Sequence, residues 1–356
     1  MVTARKATEV SAHDVSNVKI AIIGGSGIGD SLEGLGEFKR FDTQYVELRV
    51  EEVWKRIGVE LNGCCRTSGV HNSKVRTTLI AGNQQVSGLV EFKIEHDDLL
   101  PGVIEYKEKD GVIFIPRHGH SVRYGPSCSQ YAANLIAAKA LGANVVIATS
   151  AVGSLRSQTI KLEDLVVPHD YVDESGRNDN IWGVGLVIHF NPRPAFSEGL
   201  RKILIECAKE GAYFNNVHEH GVYVTIPGDR FSSSAEGMKR STYADIIGMT
   251  ANPEAQFAMQ LGLEYAVAAF PVDYDSDANH EQGTLEIMRR LSEPHRVPVY
   301  LSNVIQRTKD YVAEWYTRGT KSIDQLNGGL IPCNLGLIQN SHLRKIAEEL
   351  VRTYCR

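Results

Sequence analysis

The stretch "SQYAANLIAAKALGANVVIATSAVGSLR" (Ser129–Arg156) decides the fold class. Between Tyr131 and Ala140 half of the residues are alanine, the strongest helix former there is, and Gly142 stands where such a helix would stop. From Asn144 to Ser150 the chain then runs apolar and uncharged, which predicts a strand covered on both faces and breaking at Ser150. A helix feeding directly into a buried strand is the repeating unit of an α/β protein.

Working outward, the same alternation continues. "KIAIIGGSGIGD" (Lys19–Asp30) starts with a strand at Ile20–Ile23 and breaks into glycines, and "GVIFIPRHGHS" (Gly111–Ser121) is a strand ending at Pro116, Arg117 and His118. "LEDLVVPHDYVD" (Leu162–Asp173) and "GVYVTIPGDRFSS" (Gly221–Ser233) supply two more, and "AVAAFPVDYDSD" (Ala266–Asp277) runs from an apolar strand straight into three carboxylates. Helices are expected over residues 196–211, over "NPEAQFAMQLG" (Asn252–Gly262) with Asn252 as cap and Pro253 in its first turn, and over "EQGTLEIMRRL" (Glu281–Leu291). The C-terminal third is mostly helical. Residues 1–17 read as a polar, flexible tail, 18–356 as one domain, and the mixed pattern around 43–110 as an insertion.

A net charge of -5 provides no basic footprint, so neither nucleic acid nor a membrane is an expected partner. The six cysteines form no Cys-x-x-Cys pair and read as reduced thiols, and the N-terminus has no apolar signal region, which together predict a cytoplasmic protein.

Nearly every buried-type strand stops at hydroxyls, an Arg-His pair or carboxylates, and in an open α/β sheet ligands bind beyond the strand ends. "GGSGIGD" fails the dinucleotide fingerprint because Asp30 stands at its third glycine position; what survives is an oxyanion loop with the Ser26 hydroxyl, or a plain tight turn. Arg117 offers a guanidinium fork and His118 a further donor, to an anion or to a structural ion pair. Ser150 and Ser154 add hydroxyls, while Ser232 and Ser233 fit a helix cap as well as a ligand. Phe231 fits the core or a base-stacking platform. "HEH" (His218–His220) lacks an obvious third metal ligand, and no metal is expected. Asp273 and Asp275 share one side of a strand, and a carboxylate there needs solvent or a ligand.

Six segments, "IAIIGGSGIG", "IPRHGH", "GPSCSQYAANLIAAKALGANVVIATSAVGSLR", "TIPGDRFSSSAE", "GMTANPEA" and "FPVDYDSD", resemble in order the trimeric purine nucleoside phosphorylase (nucleoside phosphorylase class I) family, and most of all its members acting on 5'-methylthioadenosine. The resemblance implies a single-domain mixed central sheet flanked by helices. It also implies phosphorolysis of methylthioadenosine to adenine and 5-methylthioribose 1-phosphate, with adenosine, methylthioinosine or a non-catalytic nucleoside-binding role as alternatives. Inorganic phosphate is then the co-substrate, no other cofactor is needed, and a homotrimer shares its sites. By similarity, Ser26, Arg117, His118, Ser150 and Ser232 hold phosphate, and Asp273 with Asp275 serves the purine. Phe231, Met249, Thr250, Ala151, His189, Leu285 and Met288 contact the nucleoside, His189 from a neighbouring subunit. The chain departs from the family at Ser26 and Ser150, where Thr is usual, at Gly248, where Asn is common, and at Val122 and "PGDR".

Overall fold

The computed structural model describes residues 18–25, 35–43, 74–81, 84–91, 102–183, 185–228, 230–275, 283–318, 326, 329–332 and 334–354. In chain order the strands are β1 (Lys19–Gly24), β2 (Lys39–Asp42), β3 (Lys74–Ala81), β4 (Gln84–Glu91), β5 (Val103–Lys109), β6 (Val112–Pro116), β7 (Ala143–Ser154), β8 (Leu165–Val166), β9 (Asp170–Asp173), β10 (Leu186–Ile188), β11 (Val217–His218), β12 (Val222–Thr225), β13 (Ile246–Gly248), β14 (Glu264–Tyr274) and β15 (Leu330–Pro332). The helices are α1 (Tyr131–Ala140), α2 (Glu198–Glu210), α3 (Ser234–Arg240), α4 (Ala251–Gln260), α5 (Thr284–Leu291), α6 (Val297–Arg318) and α7 (Ser341–Tyr354).

The main sheet runs β11-β8-β14-β7-β1-β6-β5-β2, with β13, β12 and β9 branching from the end of β7. Its centre, β14, β7, β1 and β6, is parallel, and the flanking pairs β8–β14, β5–β6 and β2–β5 are antiparallel, so the sheet is mixed. Period-2 alternation divides the central side chains between two cores. Ala21, Ile23, Val146, Ala148, Val267 and Ala269 meet α1, α4 and α7 on one face. Ile20, Ile22, Val145, Ile147, Ala266 and Ala268 meet α2, α5 and α6 on the other. This is the helix–sheet–helix layering that uncharged strands require.

Local chemistry explains the boundaries. The last residue after α1, Gly142, has φ +99, a left-handed conformation that lets the chain turn from helix into β7. Ser197 caps α2 by accepting from Leu200 N–H, and Ser233 forms a capping box with Glu236 at α3. At α4 the residue in the cap position is Thr250 rather than Asn252; Asn252 keeps an extended backbone before Pro253, and its Oδ1 accepts a bond from Thr225 at 2.8 Å.

β7 does not break at Ser150 but continues to Ser154. Its pairing with β1 ends at Ala148, whereas antiparallel pairing with β13 begins only at Gly153. Between them, residues 149–152 have no strand partner on that side among the described residues, and the sheet opens there.

The expected tail, 1–17, lies outside the described residues, as does most of the expected insertion. Within that insertion β3 and β4 form their own antiparallel ribbon, and β5 joins the edge of the main sheet through β6. Among the described residues no helix is long and apolar enough to cross a membrane.

Candidate active site

A cavity of about 350 Å³ opens at the gap in the sheet, within the range of small-molecule sites. It gathers Arg117 and His118 from the end of β6, Ser150 and Ala151 from β7, and Met249 and Thr250 from the turn into α4. Phe231 from the loop after β12, Asp273 and Asp275 from the end of β14, and Leu285 and Met288 from α5 complete it. Segments more than 150 residues apart in the chain thus meet at one place.

Arg117 is buried at 2% exposure and is held by α4: its Nε donates to Glu254 Oε2 at 2.8 Å and its Nη2 to Oε1 at 2.9 Å. Nη1 donates to the Thr149 carbonyl at 2.9 Å and Nη2 also approaches the Ile23 carbonyl at 3.4 Å. Of five guanidinium protons four are assigned, which leaves one on Nη1. A Cβ at Gly25 would lie 3.4 Å from that nitrogen, so glycine keeps the approach to it clear. Burial works against the charge on Arg117 and the Glu254 carboxylate more than offsets it, so the group stays charged above its ordinary value.

His118 shares its Nδ1 with Ser129 Oγ at 2.8 Å, and that hydroxyl donates onward to the Gly125 carbonyl. Burial, reinforced by the Arg117 charge, pulls His118 down to about 4, so the ring is neutral near neutral pH. Ser150 Oγ lies 2.9 Å from Tyr223 Oη and 3.3 Å from Thr250 Oγ1, a hydroxyl cluster beside the arginine.

Further along β7 the β14–β7 register shifts between Pro271 and Asp273, a bulge that re-aims the strand end. Asp273 then lies against Gly153, where a Cβ would come within 2.5 Å of Oδ1. Asp275 Oδ2 and Thr149 Oγ1 are buried without a hydrogen-bond partner, and both residues line the cavity. Each orphaned atom costs about 1–3 kcal/mol, which a ligand would relieve. Phe231 is 67% exposed and Leu285 81%, an apolar mouth rather than core.

Two expected site residues fall outside this cavity, and a third is not among the described residues. Ser232 is not brought into the cavity: its hydroxyl accepts from Arg240 Nη1 at 2.9 Å, because α3 starts directly behind it. His189 is exposed, outside the cavity of its own chain. Ser26 lies outside the described residues. Ser154 is structural, donating to the Ile160 carbonyl at 2.9 Å. His218 is turned to Asp164 at 2.7 Å, and no group of three metal-binding side chains occurs among the described residues.

Reasoning from sequence missed Glu254, Tyr223, Thr149 and Arg177. Arg177 donates to the Met249 and Asn252 carbonyls at 2.7 and 2.8 Å and to that of Pro227, tying two cavity loops together over the Tyr131 ring. The available signal was a charged residue, Glu254, in an otherwise buried helix.

The profile of the Phosphorylase superfamily matches residues 99–293, more than half of the sequence. The chain belongs to the phosphorylase superfamily. Within it, the chain is 41% identical over 185 residues to an S-methyl-5'-thioadenosine phosphorylase of Hyperthermus butylicus, a match covering 51% of this chain and 66% of that one. It is 34% identical over 267 residues to an S-methyl-5'-thioadenosine phosphorylase of Anopheles gambiae, 73% of this chain and 77% of the relative. Among solved structures, a methylthioadenosine phosphorylase from an antarctic soil metagenomic library superposes with a TM-score of 0.61 at 26% identity, covering 94% of this chain and 99% of the other. The superfamily fold accounts for the mixed central sheet flanked by helices.

Proposed function

We propose that the chain is a pentosyltransferase that uses inorganic phosphate to cleave 5'-methylthioadenosine into adenine and 5-methylthioribose 1-phosphate. The observation that carries this reading is one cavity that brings a buried, clamped arginine and hydroxyls together with two carboxylates. The names of the relatives support the same substrate.

Phosphate binds where Arg117 Nη1 and Ser150 converge, its own hydroxyl donating to His118 Nε2, which is left as an acceptor because Nδ1 carries the ring proton toward Ser129; held below the sugar before reaction, it turns a bimolecular encounter into an oriented one. As the glycosidic bond lengthens the sugar gains oxocarbenium character, and the fixed anion stabilises it in a water-poor site. The leaving purine is a poor anion until N7 takes a proton, which Asp273, entering the reaction as the protonated acid, delivers from one carboxyl oxygen while its other oxygen accepts from the 6-amino group. The carboxylates accept from the 6-amino group, and a 6-oxo purine would set acceptor against acceptor. The sugar lies along the Ala151 and Met249–Thr250 backbone, the base against Phe231, and the methylthio group against Leu285 and Met288. No organic cofactor enters.

The working unit in this reading is a cytoplasmic homotrimer in which His189 completes a neighbour's pocket. Its support is the ribbon of β10 and β15, where the cross-strand pair Val187 and Ile331 stands exposed beside His189. The test is incubation of the protein with methylthioadenosine, with and without phosphate. Phosphate-dependent appearance of free adenine and the pentose phosphate is expected; adenine released without phosphate, or none at all, would refute it.

A further inference from the structure

We propose that Tyr223 is a positioning residue for the oxyanion: it acts through Ser150, and Gly248 exists to make room for it. The inference rests on the reading above that Ser150 binds the anion. Tyr223 is fully buried in β12, and its Oη lies 2.9 Å from Ser150 Oγ. A Cβ built on Gly248 would lie 1.9 Å from that oxygen and 2.6 Å from Cζ, so the phenol end occupies the volume a side chain at 248 would need. The glycine that breaks the family pattern is therefore one half of a matched pair, and the hydroxyl arriving from β12 is the other.

Ser150 Oγ has three neighbours: Tyr223 Oη, Thr250 Oγ1 at 3.3 Å and its own side's Ala151 carbonyl at 3.4 Å. A phenol is the most acidic of these hydroxyls and donates to Ser150. The serine lone pair is thereby occupied and its own proton is left to give away. Within the protein that proton has two long contacts, to Thr250 Oγ1 at 3.3 Å and to the Ala151 carbonyl at 3.4 Å. A bound oxyanion offers a better acceptor, and the serine is already oriented toward it.

The test compares wild type, Tyr223→Phe, Ser150→Ala and the double variant. Tyr223→Phe should raise the phosphate KM on the order of tenfold while the nucleoside KM stays within about twofold. In the Ser150→Ala background, loss of the phenol should add nothing further. An unchanged phosphate KM, an equal rise in both constants, or the full effect persisting without Ser150 would each overturn the inference. Calorimetric titration of inorganic phosphate into the same four proteins reads the same coupling without turnover, so a failure of the phosphorolysis reading stays separate from a failure of this one. Should Tyr223→Phe not fold, Gly248→Ala displaces the phenol from the other side. A selective loss of phosphate affinity is again expected, and no change would sink the proposal.

Discussion

Replacing Glu254 with Gln tests whether the anion end is built around a locked charge pair. Arg117 and Glu254 are 2% and 0% exposed, joined by two bonds of 2.8 and 2.9 Å, and Tyr265 Oη donates a third bond to Glu254 at 2.9 Å. Glutamine keeps the shape but removes the counter-charge, leaving a buried guanidinium unpaired. Breaking such a pair costs about 3–5 kcal/mol, and for a large domain that lowers Tm by roughly 5–15 °C. Phosphate should reverse much of this, because a dianion beside Nη1 supplies the lost charge, and a ligand stabilises in proportion to its preference for the folded state. Scanning fluorimetry with and without phosphate should thus show a larger phosphate-induced rise in Tm for Glu254→Gln than for wild type. A variant that melts like wild type, or one to which phosphate gives no added protection, would refute the account of Arg117 as both clamped and anion-facing.

Three further outcomes follow from the same geometry. Asp273→Asn should shift the preference between adenine and hypoxanthine nucleosides toward the 6-oxo base by on the order of 100-fold in relative kcat/KM, since an amide can donate to the 6-position where the facing carboxyl oxygen accepts; unchanged selectivity would remove Asp273 from base recognition. His118 sits near 4 in the fold against an ordinary 6.5, so the unfolded chain binds the proton first. Its contribution is present above about pH 6.5 and lost as pH falls toward 4, roughly 2–3 kcal/mol after allowing for partial exposure. Urea midpoints across that window should lose part of their slope in His118→Gln. Phe231→Ala should leave Tm unchanged, because the ring is 67% exposed, yet raise the nucleoside KM about tenfold; a stability loss with unchanged KM would make it core.

Much of this was legible in the residues. The uncharged strands announced a sheet covered on both faces, and the rule that ligands bind beyond strand ends brought Arg117, His118, Ser150, Asp273 and Asp275 to one cavity. What stayed hidden depends on three-dimensional partners. Glu254 reads as an ordinary acidic residue at a helix start, where it complements the helix dipole, and only the buried guanidinium reveals its other use. Tyr223 reads as a core aromatic in a strand. Ser232 reads equally as ligand or cap, and Arg240, eight residues on, takes its hydroxyl. Strand alternation correctly placed Asp273 and Asp275 on one side, but the register shift that presses Asp273 against Gly153 leaves no mark in the sequence.

The place of the cavity follows from how β7 exchanges neighbours. β1 stops pairing at Ala148 because the chain leaves the sheet at Gly24–Gly25, and β13 begins only opposite Gly153. Among the described residues the four between have no ladder on that side, and the Thr149 carbonyl accepts from Arg117 instead. A backbone deprived of its ladder in a sheet interior must find polar partners, and what it finds is a charged side chain, hydroxyls and space for a ligand. The serine hydroxyl and the arginine at this gap therefore answer one topological event. A chain that extended β1 by two residues to restore the ladder would gain hydrogen bonds and close the site.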